Sequence, residues 1–489
     1  MQPKTFFLFL LALFARLFSY TQTHDLVIKK VNIVDVQSGK IVSDMDVLIH
    51  DSLIIKIAHN QTKFPAKTQV VDGSGKYLIP GLWDMHVHMW SRHAVTKYRD
   101  KLFFPLLIGN GVTGVREMWD DAKTVAAWRK EVKEGAINGP TIFSSGPIVD
   151  GPKPVWDRSL SIKTVADVQR IVDSLHYREH HDFIKVYQNL PRDIYFKLAE
   201  VCNKQHFAFE GHVPWRVTIL EAAKAGQYSQ EHMMGMIELA SDSSDYLMDV
   251  ITDKVKDSSI NTWLGYDEFV LRTYNPKKFE QIAKELSQYN SWICPTFTVL
   301  RGGAYKDNPV MIDTSYNPYL SKYTVAYWNP NGNYTFDGES KAVFEAEKKI
   351  YGLWLSMAAV LQRNGVKLLA GTDFTNPYVY PGFSLHDELE LLVKGGLSNI
   401  EALQTATVNP ATFFKITDRY GSVAKGKVAD LVLLNSNPLE DITNTRKING
   451  VVLHGRFLSS IYLQDQLEEV KRLNIQVDKD TTLFIRDLN

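Results

Sequence analysis

Eight short apolar runs, dense in β-branched and aromatic residues, recur between residues 78 and 373. They are Leu78 to His86, Gly111 to Met118, Thr141 to Ile148, Phe183 to Tyr187, Phe207 to Val213, Tyr228 to His232, Trp292 to Leu300 and Lys367 to Asp373. Helical stretches separate several of them, among them Ala122 to Glu134, Val165 to Leu175, Pro191 to Lys204 and Val343 to Asn364. Strand and helix in alternation predict a parallel sheet, because parallel neighbours need a crossover between them. Eight such units predict closure into a (β/α)8 TIM barrel. After the eighth, Ser398-Asn399-Ile400-Glu401 spells a capping box and opens a helix through about Phe414.

The flanks have a different texture. Val27-Ile28, Val31 to Val36, Asp46 to Ile49 and Leu53 to Ile57 are β-branched runs broken at turns, and the pattern returns in Asp430 to Leu434 and Gly450 to Phe457. Both ends of the chain are therefore expected to meet in one small composite β-sandwich domain that carries no catalytic residue. The predicted division is a β part over 22–79, the barrel over 80–417, the rest of the β domain over 418–460 and a C-terminal tail over 461–489. Two connections are unusually long, 235–290 and 301–341, and are expected to be lids or binding loops over the active face.

Of 489 residues, 45% are hydrophobic and 22% charged, as a large buried core requires. Lys+Arg and Asp+Glu are both 55, which gives no electrostatic case for nucleic acid or an anionic membrane. Lys4, the apolar run Phe6 to Phe14 and the polar residues after it read as a signal peptide over 1–21. The run is too short to span a bilayer. The mature chain is expected to start near Gln22, free of the membrane, in a periplasm or secreted. Cys202 and Cys294 are expected to be two separate buried thiols, and no Cys/His cluster suggests a thiolate zinc site.

Asp84-Met85-His86-Val87-His88 carries the sharpest chemical signal. Residues two apart on a strand point the same way, so His86 and His88 project together, and paired imidazoles suit a zinc-like ion. Lys185 lies between Ile184 and Val186 and should face the interior, where a lone cation is costly. It makes sense there as a carbamate bridging metals, or as the partner of an inward carboxylate such as Glu210. His212, His232 and Asp373 end the fifth, sixth and eighth strands, at the face where barrel active sites assemble.

With these residues in view, the chain resembles the amidohydrolase superfamily, nearest to its imidazolonepropionase-like and Xaa-Pro dipeptidase-like branch. The matching stretches are Pro80 to His88, Gly111 to Arg116, Gly211 to Pro214, Glu231-His232, Gly371 to Asp373, Glu401 to Leu403 with Asn409 to Ala411, and Gly421 to Leu431. The resemblance implies that His86, His88 and Asp373 bind one divalent metal, with zinc expected, and that His212 and His232 bind a second, with N6-carboxylated Lys185 between them. Trp83 and Glu210 depart from it, standing where small or aliphatic residues are expected.

The expected reaction is hydrolysis of a C–N (amide) bond by metal-activated hydroxide, with Asp373 as general base. Expected substrates are small molecules carrying a carboxylate, such as dipeptides, N-acyl amino acids or cyclic amides. Deamination, or lactone or phosphoester hydrolysis, on the same scaffold is the alternative. Arg116 is a candidate for the substrate carboxylate, against an internal salt bridge, for example to Glu117 or Asp84. Tyr187, Arg301 and His386 are further candidates for substrate contact, with Tyr187 otherwise capping the barrel and His386 otherwise holding the loop after Asp373. Homo-oligomerisation is left open.

Overall fold

The computed structural model describes residues 25–60, 63–89, 98–260, 262–308, 313–328 and 340–479. The expected signal segment lies outside them. Strands β1 (Asp25–Asp35), β2 (Lys40–His50), β3 (Leu53–Ala58), β4 (Gln69–Asp72) and β5 (Tyr77–Pro80) come from the N-terminal end. They join β16 (Leu431–Leu434), β17 (Ile448–Leu453) and β18 (Arg456–Ser459) in one eight-stranded sheet of order β18-β17-β16-β5-β1-β2-β3, with β4 beside β1. The seam is antiparallel, Leu431 opposite Pro80 and Leu433 opposite Leu78. Ile28, Val31, Val47, Leu78, Leu431 and Val452 close its core. Alternation of buried and exposed residues along a strand requires such a layer.

The first expected barrel run is divided at Gly81. Before it, β5 belongs to the composite sheet; after it, β6 (Leu82–Val87) begins a set of parallel strands. A Cβ at Gly81 would stand 2.0 Å from Thr113 Oγ1, so the switch needs glycine. β6 pairs with β7 (Val112–Glu117), and β7 with β8 (Thr141–Ser144). Ser145-Gly146-Pro147 interrupts the third run, which resumes as β9 (Ile148–Asp150), beside the short β10 (Leu160–Ser161). From β9 the parallel order continues through β11 (Ile184–Val186), β12 (Phe209–Gly211), β13 (Ser229–Glu231), β14 (Trp292–Cys294) and β15 (Lys367–Leu368). Beyond β15 the chain runs alongside β6: Met85 N donates to Ala370 O at 2.9 Å, Asp373 N to His86 O at 2.7 Å and His88 N to Phe374 O at 2.7 Å. The architecture is thus mixed α/β with parallel strands under helices.

Several expectations are corrected. The seventh run is strand only to Cys294, and Phe297–Ala304 is helix. Its amides Phe297 N and Thr298 N donate to the buried carboxylate of Glu388, which satisfies the helix start. The connection 235–290 is no loop but four helices, Met236–Leu239, Ser244–Ile251, Trp263–Thr273 and Pro276–Leu286. Thr262 and Asn275 cap the last two. The connection 301–341 holds a 3-10 turn at Thr314–Tyr319 and a helix at Lys322–Tyr327, its remaining centre lying outside the described residues. The expected tail is largely helix, Ser460–Val477, which buries Leu463, Leu467 and Val470. It packs on helix Arg99–Gly109, where a Cβ at Gly109 would stand 3.0 Å from Leu467 Cδ2. Among the described residues no helix is long and apolar enough to cross a membrane.

Candidate metal centre

The chain brings all six expected ligands to one place. The imidazole centroids of His86 and His88 are 5.3 Å apart, His86 and His232 4.7 Å, and His212 and His232 4.7 Å. Asp373 Oδ1 lies 3.0 Å from His88 Nε2 and 3.6 Å from His86 Nε2, while Oδ2 lies 3.8 Å from His232 Nδ1. Lys185 Nζ stands 3.3 Å from His86 Nε2 and 3.4 Å from His88 Nε2. Two glycines let the strands close this far. A Cβ at Gly371 would meet Cys294 Sγ at 2.5 Å and His86 Cβ at 2.8 Å, and one at Gly211, where φ is +116°, would meet Val186 O at 2.5 Å.

Three of the four imidazoles are held from behind. His86 Nδ1 is 2.7 Å from Glu231 Oε2, His232 Nδ1 2.7 Å from Thr296 Oγ1 and His212 Nδ1 3.3 Å from Gln188 Oε1. A ring nitrogen fixed in this way sets the tautomer and leaves the opposite nitrogen for a metal. His232, Thr296 and Asp373 are non-glycine residues at φ of 62°, 51° and 64°. Left-handed backbone costs roughly 1–3 kcal/mol per residue and persists where neighbours over-determine it, as at active sites. Asp84 ties two ligand strands together, accepting from His86 N at 3.2 Å, Thr372 N at 3.0 Å and Thr372 Oγ1 at 2.7 Å.

Burial governs the electrostatics. It pushes His86 and His212 well below the ordinary histidine value and His232 down to about 4, with neighbouring positive charge acting the same way on the first two. Burial pushes Lys185 down to about 8 against the pull of Asp373 and Glu231. For Asp373 burial acts upward, but contact with His88 and the charges of His232 and Lys185 hold the carboxyl below its usual range. Neutral imidazoles around an ionised carboxylate form the donor set that a borderline divalent ion prefers. Two buried atoms in the group, His88 Nδ1 and Asp373 Oδ1, have no hydrogen-bond partner among the described residues. The ligand atoms of His86, His232 and Asp373 lie within 4.8 Å of one another. These residues fit a metal. A second grouping, His86, Glu231 and Cys294, is the rear of the same site, where burial raises the Cys294 thiol well above its ordinary value.

The substrate candidates fare differently. Arg116 is fully buried and committed: Nε donates to Met85 O at 2.5 Å, Nη1 to Glu210 at 2.8 Å and Ser229 Oγ at 2.6 Å, and Nη2 to Glu231 at 2.9 Å. The carboxylate grip is corrected, and so are the internal partners, which are Glu210 and Glu231 in place of Glu117 or Asp84. Glu210 is thereby taken by Arg116, which removes the Lys185–Glu210 pair that stood as the alternative to a carbamate. His386 is also corrected. It is buried, with Nδ1 2.9 Å from Thr445 Oγ1 and Nε2 3.1 Å from Asn110 O, so it braces helix Phe383–Lys394 and cannot reach a substrate. Arg301 pairs with Asp387 at 2.6 Å, itself bound to Arg446. Tyr187 does lie at the centre, stacked on His212 at 4.0 Å.

Glu231, Thr296 and Gln188 were not assigned from sequence. Ser229 and Glu231 share a parity that turns both inward, and this was the available signal. Nothing local marks Thr296 or Gln188, whose partners come from other strands. The two unexpected residues also find their reason. Glu210 is a counter-ion of Arg116, and Trp83 fills the space left by Gly114, where a Cβ would come within 2.3 Å of the indole, packing on Phe143, Phe414 and Tyr420.

Residues 344–458 match the model of the amidohydrolase family. The chain is 34% identical over 119 residues to a dihydroorotase of Carboxydothermus hydrogenoformans, covering 23% of this chain and 27% of the relative. It is 37% identical over 91 residues to an adenine deaminase of Listeria innocua, covering 19% and 14%. These matches span about a quarter of the first relative's length and about a seventh of the second's. The whole fold is similar to a bottromycin amidohydrolase (TM-score 0.72, 21% identity, covering 92% of this chain and 90% of that one). It is also similar to an Xaa-Pro dipeptidase with bound methionine in the active site (TM-score 0.62, 18% identity, covering 89% and 100%). Residues 344–458 thus resemble the amidohydrolase family, and the fold over most of the chain is similar to that of an amidohydrolase and of a dipeptidase.

Proposed function

We propose that this protein is a metal-dependent hydrolase of C–N bonds in small molecules, acting at the cluster of His86, His88, Lys185, His212, His232 and Asp373. The observation that carries the reading is the meeting of these side chains from five strand ends, with three of the imidazoles held through their Nδ1 atoms. A divalent ion bound there supplies water of lowered pKa and polarises a substrate carbonyl, chemistry for which zinc suits the nitrogen-rich donor set.

The chain's own residues do the rest. His86 and His88 present Nε2, and the anionic Asp373 lies between them and His232, where it takes the proton of the attacking water and delivers it to the leaving nitrogen. Burial brings Lys185 down to about 8, so that a fraction of the amine is neutral near neutral pH; that neutral nitrogen adds to the carbon of CO2 and loses a proton, giving a carbamate anion between the two halves of the cluster. We read the eight parallel runs as a closed (β/α)8 barrel, supported by the hydrogen bonds between β6 and the chain after β15. The two-ended sheet is read as the face of a composite β-sandwich domain over 22–79 and 418–460, and export of the chain after removal of 1–21 completes the proposal.

An amide is favoured because an amidohydrolase and a dipeptidase stand among the neighbours by fold. Purified protein tests this with metal analysis and a panel of dipeptides, N-acyl amino acids and cyclic amides, run beside purines, lactones and phosphoesters. Metal-dependent release of an amine from an amide is expected. Turnover confined to purines, lactones or phosphoesters replaces the amide reading, and a metal-free, inert chain defeats the hydrolase reading.

A further inference from the structure

An unbroken arc of rings leads from one candidate ligand to another. His88 meets Trp119 edge-on at 6.3 Å, Trp119 meets Trp156 at 5.8 Å, Trp156 Nε1 donates to Tyr187 Oη at 2.9 Å, and Tyr187 stacks on His212 at 4.0 Å. The links come from successive segments: Trp119 follows β7, Trp156 follows β9, Tyr187 follows β11 and His212 follows β12. Both ends of the arc are members of the metal cluster, so its rings border the space in which a substrate carbonyl must sit.

Trp119, Trp156 and Tyr187 are each only half-buried. Large aromatic surface held beside a polar cluster is costly to leave in water, and clustered apolar surface of this kind marks a binding site. Directly after His212 in the chain, Val213, Pro214 and Trp215 line a crevice together with Met234 and Leu239. The hydrogen bond from the Trp156 indole to Tyr187 fixes two of the rings relative to each other, which gives a preorganised wall in place of loosely packed side chains.

We infer that the wall of Trp119, Trp156 and Tyr187 selects amides whose group beside the scissile bond is a ring or another flat apolar body. This rests on the proposed hydrolytic site. Ring-on-ring contact adds attraction beyond simple burial, so selectivity should appear in binding as well as in turnover.

The test uses two ketones in which CH2 replaces the amide nitrogen, so that neither can be hydrolysed: 2-benzyl-4-oxopentanoate and 2-(hydroxymethyl)-4-oxopentanoate. Calorimetric titration of the full-length, metal-loaded protein is expected to give at least tenfold tighter binding of the benzyl compound. Trp119→Ala and Trp156→Ala should each cut that preference threefold or more, while Trp119→Phe and Trp156→Phe, which keep a ring, should retain most of it. Thermal midpoint and metal content check that each variant is folded and loaded. Equal affinity for the two ketones, or a preference unchanged in both alanine variants, overturns the inference. The hydrolase reading fails separately: a benzyl preference with no amide turned over would leave the aromatic wall standing and remove the chemistry, whereas amide turnover blind to rings would do the reverse.

Discussion

His86 Nδ1 stands 2.7 Å from Glu231 Oε2, and the same oxygen accepts from Arg116 Nη2 at 2.9 Å. One carboxylate therefore orients a metal-facing imidazole while being fixed by a guanidinium that never reaches the pocket. Outer partners of this kind are worth about 10–100-fold in metal affinity. Glu231→Gln keeps the shape and removes the charge, so competition with a chelating dye should show a loss within that range. Wild-type affinity in a folded Glu231→Gln protein would remove Glu231 from the site.

Arg116 distinguishes structure from recognition. Burial opposes its charge, but Glu231 and Glu210 more than offset that and hold its pKa above the ordinary arginine value. Arg116→Met leaves two buried carboxylates without a cation, a change that costs about 3–5 kcal/mol when one partner of a buried pair is removed. Urea unfolding should register that loss in protein that has never met substrate. An unchanged unfolding midpoint with a raised KM would return Arg116 to the substrate.

For Asp373→Asn, turnover should fall by about 10²–10⁴-fold, the usual range for a lost general base. The four imidazoles remain, so metal should stay bound, as elemental analysis of the purified variant can check. Near-normal turnover in a metal-replete variant would end the role of Asp373 as proton carrier.

His386 gives a prediction in pH. Burial pushes it down to about 3, with Arg446 acting in the same direction. Below about pH 6.5 the unfolded chain binds a proton at this position that the folded chain refuses until about 3. Its contribution is complete above about 6.5 and is lost as pH falls towards 3. Unfolding free energy should therefore drop in this window more steeply in the wild type than in His386→Gln, by at most about 1.4 kcal/mol per pH unit. Parallel pH curves for the two proteins would contradict it.

What could be read from the sequence follows a physical line. Alternation along a strand turns His86, His88, Lys185, Ser229, Glu231 and Glu210 inward, and strand ends put His212, His232 and Asp373 on one face; both are local rules. Partner choice is not local. Whether Glu210 met Lys185 or Arg116 depended on how neighbouring strands register, and Lys185 and Glu210 are directly paired in backbone register while Arg116 takes the carboxylate. Phe297-Thr298-Val299-Leu300 reads as strand by its apolar content, yet a glutamate 91 residues from Phe297 caps it as a helix. Met236–Leu239 and Ser244–Ile251 are short and lack a side-chain cap, which blurs a 3.6-residue period, whereas Trp263–Thr273, Pro276–Leu286 and Ser460–Val477 do carry local start signals in Thr262, Asn275 and Ser459.

The central claim is that ions bind between these particular side chains. A crystal structure of the metal-loaded protein, with anomalous scattering recorded at the zinc edge, tests it most directly. The account predicts density about 2.0–2.2 Å from nitrogen atoms of His86 and His88 and from an oxygen of Asp373, with His212 and His232 around the same or a neighbouring ion, and extra density on Lys185 Nζ. An ion bound elsewhere, or these five side chains left without one in protein that contains metal, would contradict it.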